Sequence, residues 1–183
     1  MLKISTRFDG GAVIVHDLAD PQNIRLSIRP DNASDFAQWF YFRLQGAAYQ
    51  NCVIHFENAA SSAYPSGWED YQARASYDRQ NWFCVPTRYE NGVLTIEHTP
   101  LSNSVYYAYF EPYSSGETMA EWFIEGLLAR LLDPQDPTAR ALLDSATFYV
   151  VPNMNPDGSA LGNLRTNAAG ANLNREWLSP SEE

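Results

Sequence analysis

The sequence predicts an α+β chain, with an N-terminal antiparallel β-sandwich over residues 1–113 followed by a truncated α/β domain over residues 114–183. Three observations carry this prediction. Up to Tyr113, short apolar or alternating runs are separated by turn residues and no stretch has a helical period. After Tyr113 the apolar residues recur at helical spacing. The last apolar run, Phe148-Tyr149-Val150-Val151, leads into a long stretch poor in apolar residues, as a loop leaves the end of a buried strand.

The first strands are read from their patterns. Gly10-Gly11 leads into Ala12-Val13-Ile14-Val15, and Ile24-Arg25-Leu26-Ser27-Ile28 alternates until Pro30 stops it. Gln38-Trp39-Phe40-Tyr41-Phe42-Arg43 and Cys52-Val53-Ile54-His55-Phe56 follow. Arg74 to Tyr77 and Trp82 to Val85 form a pair, and Asn91-Gly92 sets a hairpin turn before Val93-Leu94-Thr95-Ile96-Glu97. Val105 to Phe110 closes the series. The aromatic residues from Trp39 to Phe42 are expected to fill the core and the seam between the two domains.

Helix grammar then begins. Thr118 and Glu121 have the spacing of a capping box, and Met119, Trp122, Phe123, Leu127, Leu131 and Leu132 make an apolar stripe that Asp133-Pro134 ends. A short second helix spans Thr138 to Leu143, and the strand Thr147 to Val151 follows. One buried strand cannot make a parallel sheet, because its ladder of N–H and C=O groups would have no partners. Either the second half takes strands from elsewhere, or residues of the natural protein are missing, and the second explanation is preferred.

The long stretch runs from Asn153 to Arg175. It holds two arginines, Arg165 and Arg175, each with an asparagine close by, and no lysine. A guanidinium presents a planar fork of donors that suits a carboxylate or a developing oxyanion. Spacing alone leaves two readings: a site for a small anion, or a surface loop whose arginines pair with neighbouring acids.

Charge narrows the partners. With 22 acidic against 12 basic residues the net charge is −10, a field that repels nucleic acid and anionic membranes, and no Lys/Arg cluster reverses it locally. No run approaches the length of a membrane span, and the N-terminus lacks a signal-peptide core. Cys52 and Cys84 are expected to be buried free thiols, which points to a soluble protein of a reducing compartment, the cytoplasm. His16, His55 and His98 stand at no metal-ligand spacing and are expected to be structural.

Four stretches together resemble the zinc metallocarboxypeptidases, specifically the cytosolic-carboxypeptidase branch with its N-terminal β-sandwich. They are Gln38 to Arg43, Gly116-Glu117-Thr118-Met119-Ala120-Glu121-Trp122, Asn155-Pro156-Asp157-Gly158, and Asn163-Leu164-Arg165 through Asn172-Leu173-Asn174-Arg175-Glu176-Trp177. The resemblance implies hydrolysis of the C-terminal residue of a peptide or protein by a water on Zn²⁺, held by two His and one Glu, with a further Glu as general base. It implies that Arg165 is the catalytic oxyanion arginine, that Asn174 and Arg175 bind the substrate's terminal carboxylate, and that Glu117 is a metal ligand.

The departures from the family pattern are as informative. Ser114 stands where the family has its first zinc histidine, and Asn172 where many members carry an aspartate that supports a zinc ligand. The family's second histidine and general base lie beyond the arginine motifs, and Pro112 meets Gly116 without the intervening first strands of the catalytic sheet. The chain as it stands is therefore expected to be inactive and not to hold Zn²⁺. The alternatives are a non-catalytic protein that binds peptide C-termini, and a β-sandwich interaction module. Several relatives prefer acidic C-terminal residues, whereas the charge of −10 disfavours a strongly acidic substrate unless a basic pocket compensates.

Overall fold

The computed structural model describes residues 1–112, 119–151 and 153–176. Ten strands build two five-stranded sheets: β1 (Lys3–Ser5), β2 (Ile14–Asp17), β3 (Ile24–Ser27), β4 (Tyr41–Gln45), β5 (Cys52–Phe56), β6 (Arg74–Ser76), β7 (Trp82–Cys84), β8 (Thr87–Glu90), β9 (Val93–His98) and β10 (Ser104–Ala108). One sheet runs β1-β4-β10-β6-β7 and the other β2-β3-β5-β9-β8. The predicted sandwich is thus present. It departs from a purely antiparallel one at β3 and β5, which pair in parallel with Ile24 opposite Ile54. Between them the chain crosses to the other sheet as β4 and returns, so no hairpin forces them antiparallel.

Alternation explains which face is buried. Ile24 and Leu26, Cys52, Ile54 and Phe56, and Leu94 and Ile96 are all fully buried, one residue in two along their strands. Phe42 and Phe56 from opposite sheets meet at 6.2 Å, and Phe42 stacks on Tyr107 at 5.4 Å. Each such ring, once buried, contributes roughly 1.5–3 kcal/mol of hydrophobic stabilisation. The Asn91-Gly92 turn has both residues at positive φ, 52° and 83°, as a two-residue hairpin between β8 and β9 requires.

Short polar strands escaped the sequence reading. Lys3–Ser5 and Thr87–Glu90 carry too little apolar pattern to be seen, and both are edge strands. Gln38 to Phe40 stay outside the ladder, so β4 starts only at Tyr41. Cys52 is buried as expected, but Cys84 is exposed on the edge strand β7; both are free.

Three helices follow: α1 (Met119–Leu131), α2 (Pro137–Ser145) and α3 (Pro156–Leu161). Asp136 caps α2, accepting from the N–H groups of Thr138 at 2.9 Å and Ala139 at 3.1 Å, and it pairs with Arg130 of α1 at 2.7 Å. Thr118, the expected cap of α1, lies outside the described residues. The expected burial of the α1 stripe holds for Leu131, at 6% exposure, but Phe123 and Leu132 stand out at 69% and 76%.

The expected buried strand Thr147 to Val151 is corrected. These residues are in no ladder, and Tyr149 is 92% exposed. The physical reason is the one that made a lone strand unlikely to be buried: among the described residues no strand pairs with it to take its hydrogen bonds. The stretch after it is also more ordered than an irregular loop. Asn155-Pro156 opens α3, with the proline at its first turn, and Gly162 closes it at φ 73°.

Candidate functional site

The segment from Asn155 to Glu176 lies on the sandwich, and residues 29–33 of the sandwich hold it there. The buried Asp31 carboxylate accepts three successive backbone N–H groups, from Leu164 at 2.7 Å, Arg165 at 2.6 Å and Thr166 at 3.2 Å. Thr166 Oγ1 donates to the carbonyl of Asn32 at 3.2 Å, and Asn32 Nδ2 donates to the carbonyl of Ala168 at the same distance. Arg29 donates to the carbonyl of Leu161 and to Asn163 Oδ1. Charge-assisted bonds of this kind are roughly twice as strong as neutral ones.

The loop also braces itself. Asn155 Nδ2 and Asn163 Nδ2 both donate to the carbonyl of Thr166, at 3.0 and 3.1 Å. Asp157 accepts the N–H of Ala168 at 3.0 Å, and this bond, ahead of those from the N-terminal N–H groups of α3, draws its carboxyl below the usual range. Gly158 packs so closely beneath that a Cβ would lie 2.2 Å from the carbonyl oxygen of Thr166.

Arg165 emerges from this frame half-buried. Its guanidinium carbon lies 4.8 Å from the centre of the Phe36 ring and 5.4 Å from that of Tyr64, and Nη2 donates to the Tyr64 hydroxyl. Asn174 sits in a 3-10 turn over Leu173–Arg175, which Asn172 caps by accepting the Asn174 N–H at 3.3 Å. Arg165 and Asn174 line one cleft of about 310 Å³, together with Asn153, Asn155, Ser159 and Asn163 and an apolar wall of Ile124, Val151, Met154, Leu164 and Leu173. Among the described residues, no acidic one is in that lining. Arg175 is not in it either: it is exposed, and its Nη1 donates to the carbonyl of Asn174 at 3.1 Å.

Of the two readings of the loop, the geometry favours an anion site. Arg165 is held by aromatic rings and a hydroxyl, and among the described residues no acid pairs with it to neutralise its charge. A small, mostly apolar cleft with one cation and several carboxamides can orient a carboxylate and pack the group attached to it.

The described residues do not bring together a zinc site. The chain's three histidines, His16, His55 and His98, bond to the hydroxyls of Ser27, Thr95 and Tyr107 at 2.7, 3.1 and 2.8 Å, all on the sandwich. Among the described residues no group of three His, Cys, Asp or Glu could hold a metal. Glu117, the expected metal ligand, and Ser114 lie outside the described residues.

Sequence reasoning missed Asp31, Phe36 and Tyr64. Asp31, in Arg29-Pro30-Asp31-Asn32, reads as an ordinary turn residue after a strand-stopping proline. No local signal announces a partner 134 residues away.

The chain matches one family along nearly its whole length. Residues 4–110 match the cytosolic carboxypeptidase N-terminal domain, and residues 114–182 match zinc carboxypeptidase. The chain belongs to the zinc carboxypeptidases that carry the cytosolic-carboxypeptidase N-terminal domain.

Particular relatives sharpen this. An uncharacterised protein of Zymomonas mobilis is 44% identical across all of this chain and 61% of its own length. The matched span is 232 positions against 183 residues here, so it includes positions of the relative that have no counterpart in this chain. Human cytosolic carboxypeptidase 1 is 35% identical over 74% of this chain and 11% of its own length. Among solved structures, a metallo-carboxypeptidase from Burkholderia cenocepacia superposes with a TM-score of 0.93 at 46% identity, covering 99% of this chain and 63% of its own. A metallo-carboxypeptidase from Pseudomonas aeruginosa, solved in complex with (2-guanidinoethylmercapto)succinic acid, gives 0.88 at 39% identity, with 98% and 62% covered. The chain spans about three fifths of the Zymomonas protein and of these two structures.

Proposed function

We propose that the protein is a cytoplasmic zinc carboxypeptidase acting on the C-terminus of a peptide or protein, and that the residues of this chain supply recognition of that C-terminus. Residues 1–113 form the sandwich domain and residues 114–183 a part of the carboxypeptidase domain. The observation that carries the proposal is the shared cleft of Arg165 and Asn174, which has a guanidinium and, among the described residues, no acidic one in its wall. Arg165 would face the oxygen that gains charge when the scissile carbonyl is attacked, and donors placed there in advance lower that barrier. Asn174 and Arg175 would receive the terminal carboxylate, Arg175 by swinging from the Asn174 carbonyl into the cleft. The Pseudomonas relative's ligand, a succinic acid derivative, carries carboxylates of the kind this site would accept.

Hydrolysis itself requires the zinc ligands and general base of a complete family member, with Glu117 as the ligand this chain would contribute. The chain alone is expected to bind without cleaving. Fluorescence anisotropy with a labelled peptide tests recognition: the free acid should bind about tenfold tighter than its C-terminal amide, a difference of ~1.4 kcal/mol, and Arg175→Ala should remove the difference. Equal binding of acid and amide by the unsubstituted chain ends the recognition reading. The enzymatic reading is tested on the parent protein with any missing segments restored, and it fails if that protein neither binds zinc nor releases a C-terminal residue.

A further inference from the structure

We infer that Asp31 of the sandwich is the positioning residue for Arg165, so that the N-terminal domain sets the geometry of the anion site. The inference rests on the recognition reading for its functional part and on geometry alone for its structural part.

Arg165 sits in a connected frame in which Asp31 joins two of the supports, the arginine's own backbone and the Phe36 platform. The Asp31 carboxylate takes the N–H of Arg165 itself and those of both its neighbours, which fixes the backbone from which the side chain departs. The Asp31 N–H donates to the carbonyl of Phe36 at 2.8 Å, and the Phe36 ring is the platform beneath the guanidinium. The other flank is tied to the same strand entry: Gln38 Oε1 accepts the N–H of Tyr64 at 2.9 Å, and Tyr64 holds Arg165 through its hydroxyl. Asp31 thus governs where the arginine begins and fixes the Phe36 side of its platform, while Gln38 fixes the Tyr64 side. At 5% exposure the carboxylate has little water to replace its partners, so any amide that loses its oxygen there finds no other acceptor. A carboxamide in its place would keep the shape but turn an N–H₂ toward N–H donors.

The role predicts a local effect at Arg165 and none at Arg175, which Asp31 does not touch. Phenylglyoxal modification of the full chain, followed by peptide mass spectrometry, reads both arginines in one sample. In Asp31→Asn, Arg165 should react about tenfold faster than in the unsubstituted chain while Arg175 keeps its rate. An unchanged Arg165 rate, or equal acceleration at both arginines, overturns the inference. Hydrogen exchange on the unsubstituted chain supplies a measurement free of any folding defect: the amides of Leu164, Arg165 and Thr166 should be strongly protected, and exchange at free-peptide rates also overturns it. In the binding assay Asp31→Asn should weaken acid and amide alike, about tenfold, because the scissile carbonyl that Arg165 faces is common to both, and should keep the preference for acid that Arg175 carries. If the unsubstituted chain shows no such preference, recognition fails, and the positioning role is decided by the Arg165 rate and the exchange.

Discussion

Trp39 donates its indole N–H to the carbonyl of Gly10 at 2.7 Å, and Gly10 donates its own N–H to the carbonyl of Ala160 in α3 at 3.1 Å. A buried core residue of the sandwich is thereby joined to the helix beside the cleft through one glycine. Trp39→Phe keeps most of the buried ring area but leaves the Gly10 carbonyl short of a partner. The expected cost is about 1–3 kcal/mol in urea denaturation. A loss below about 0.5 kcal/mol would show that the bond is not part of the joint.

Gly162 meets the same glycine. Its φ is 73°, and an added Cβ would lie 2.6 Å from the Gly10 carbonyl oxygen. Gly162→Ala should therefore cost more than the ~1–2 kcal/mol of a left-handed alanine alone. A neutral result in thermal melts would mean that α3 can lift from the sandwich at no cost.

Tyr64 holds Arg165 in two ways that mutation can separate. Tyr64→Phe removes the hydroxyl and keeps the ring, with an expected loss of about 0.5–1.5 kcal/mol. Tyr64→Ala removes both and should cost roughly 0.5–1 kcal/mol more, the worth of an exposed cation–π contact. Equal losses for the two variants, read by denaturant melts, would leave the ring with no role.

Stability should fall on mild acidification. Burial pushes the His98 imidazole below its ordinary value of 6.5, and it does the same, as the leading cause, at His55. Below pH 6.5 the unfolded chain takes up protons that these folded imidazoles refuse, so their contribution is complete above 6.5 and is lost as the pH falls through their folded values. The melting temperature should drop between about pH 7.5 and about pH 5.5, and drop less in His98→Gln. An equal drop in both proteins would remove His98 from the account.

Where local pattern and burial coincide, the fold was legible. Ile24, Leu26, Ile54 and Ile96 are buried in the strands that their alternation announces, and Asn91-Gly92 turns where its chemistry requires. β1 and β8 were not legible, because an edge strand needs no apolar face to be paired. At the site, the arginines declared themselves by residue type; Asn174 lines the cleft of Arg165, and Arg175 does not. What holds Arg165 was invisible, since Asp31, Phe36 and Tyr64 are brought to it only by the folded sandwich. Thr147 to Val151 was misread for the converse reason: its composition is that of a core strand, but the neighbours that would make it one are not among the described residues.

The distance along the chain between Asp31 and Arg165 gives the molecule an order in time. All ten strands are complete by Ala108, well before the ribosome reaches the arginine loop. Chains fold from the N-terminus as they emerge. The loop therefore condenses onto a template that is already closed, and the arginine loop is the youngest layer of the structure.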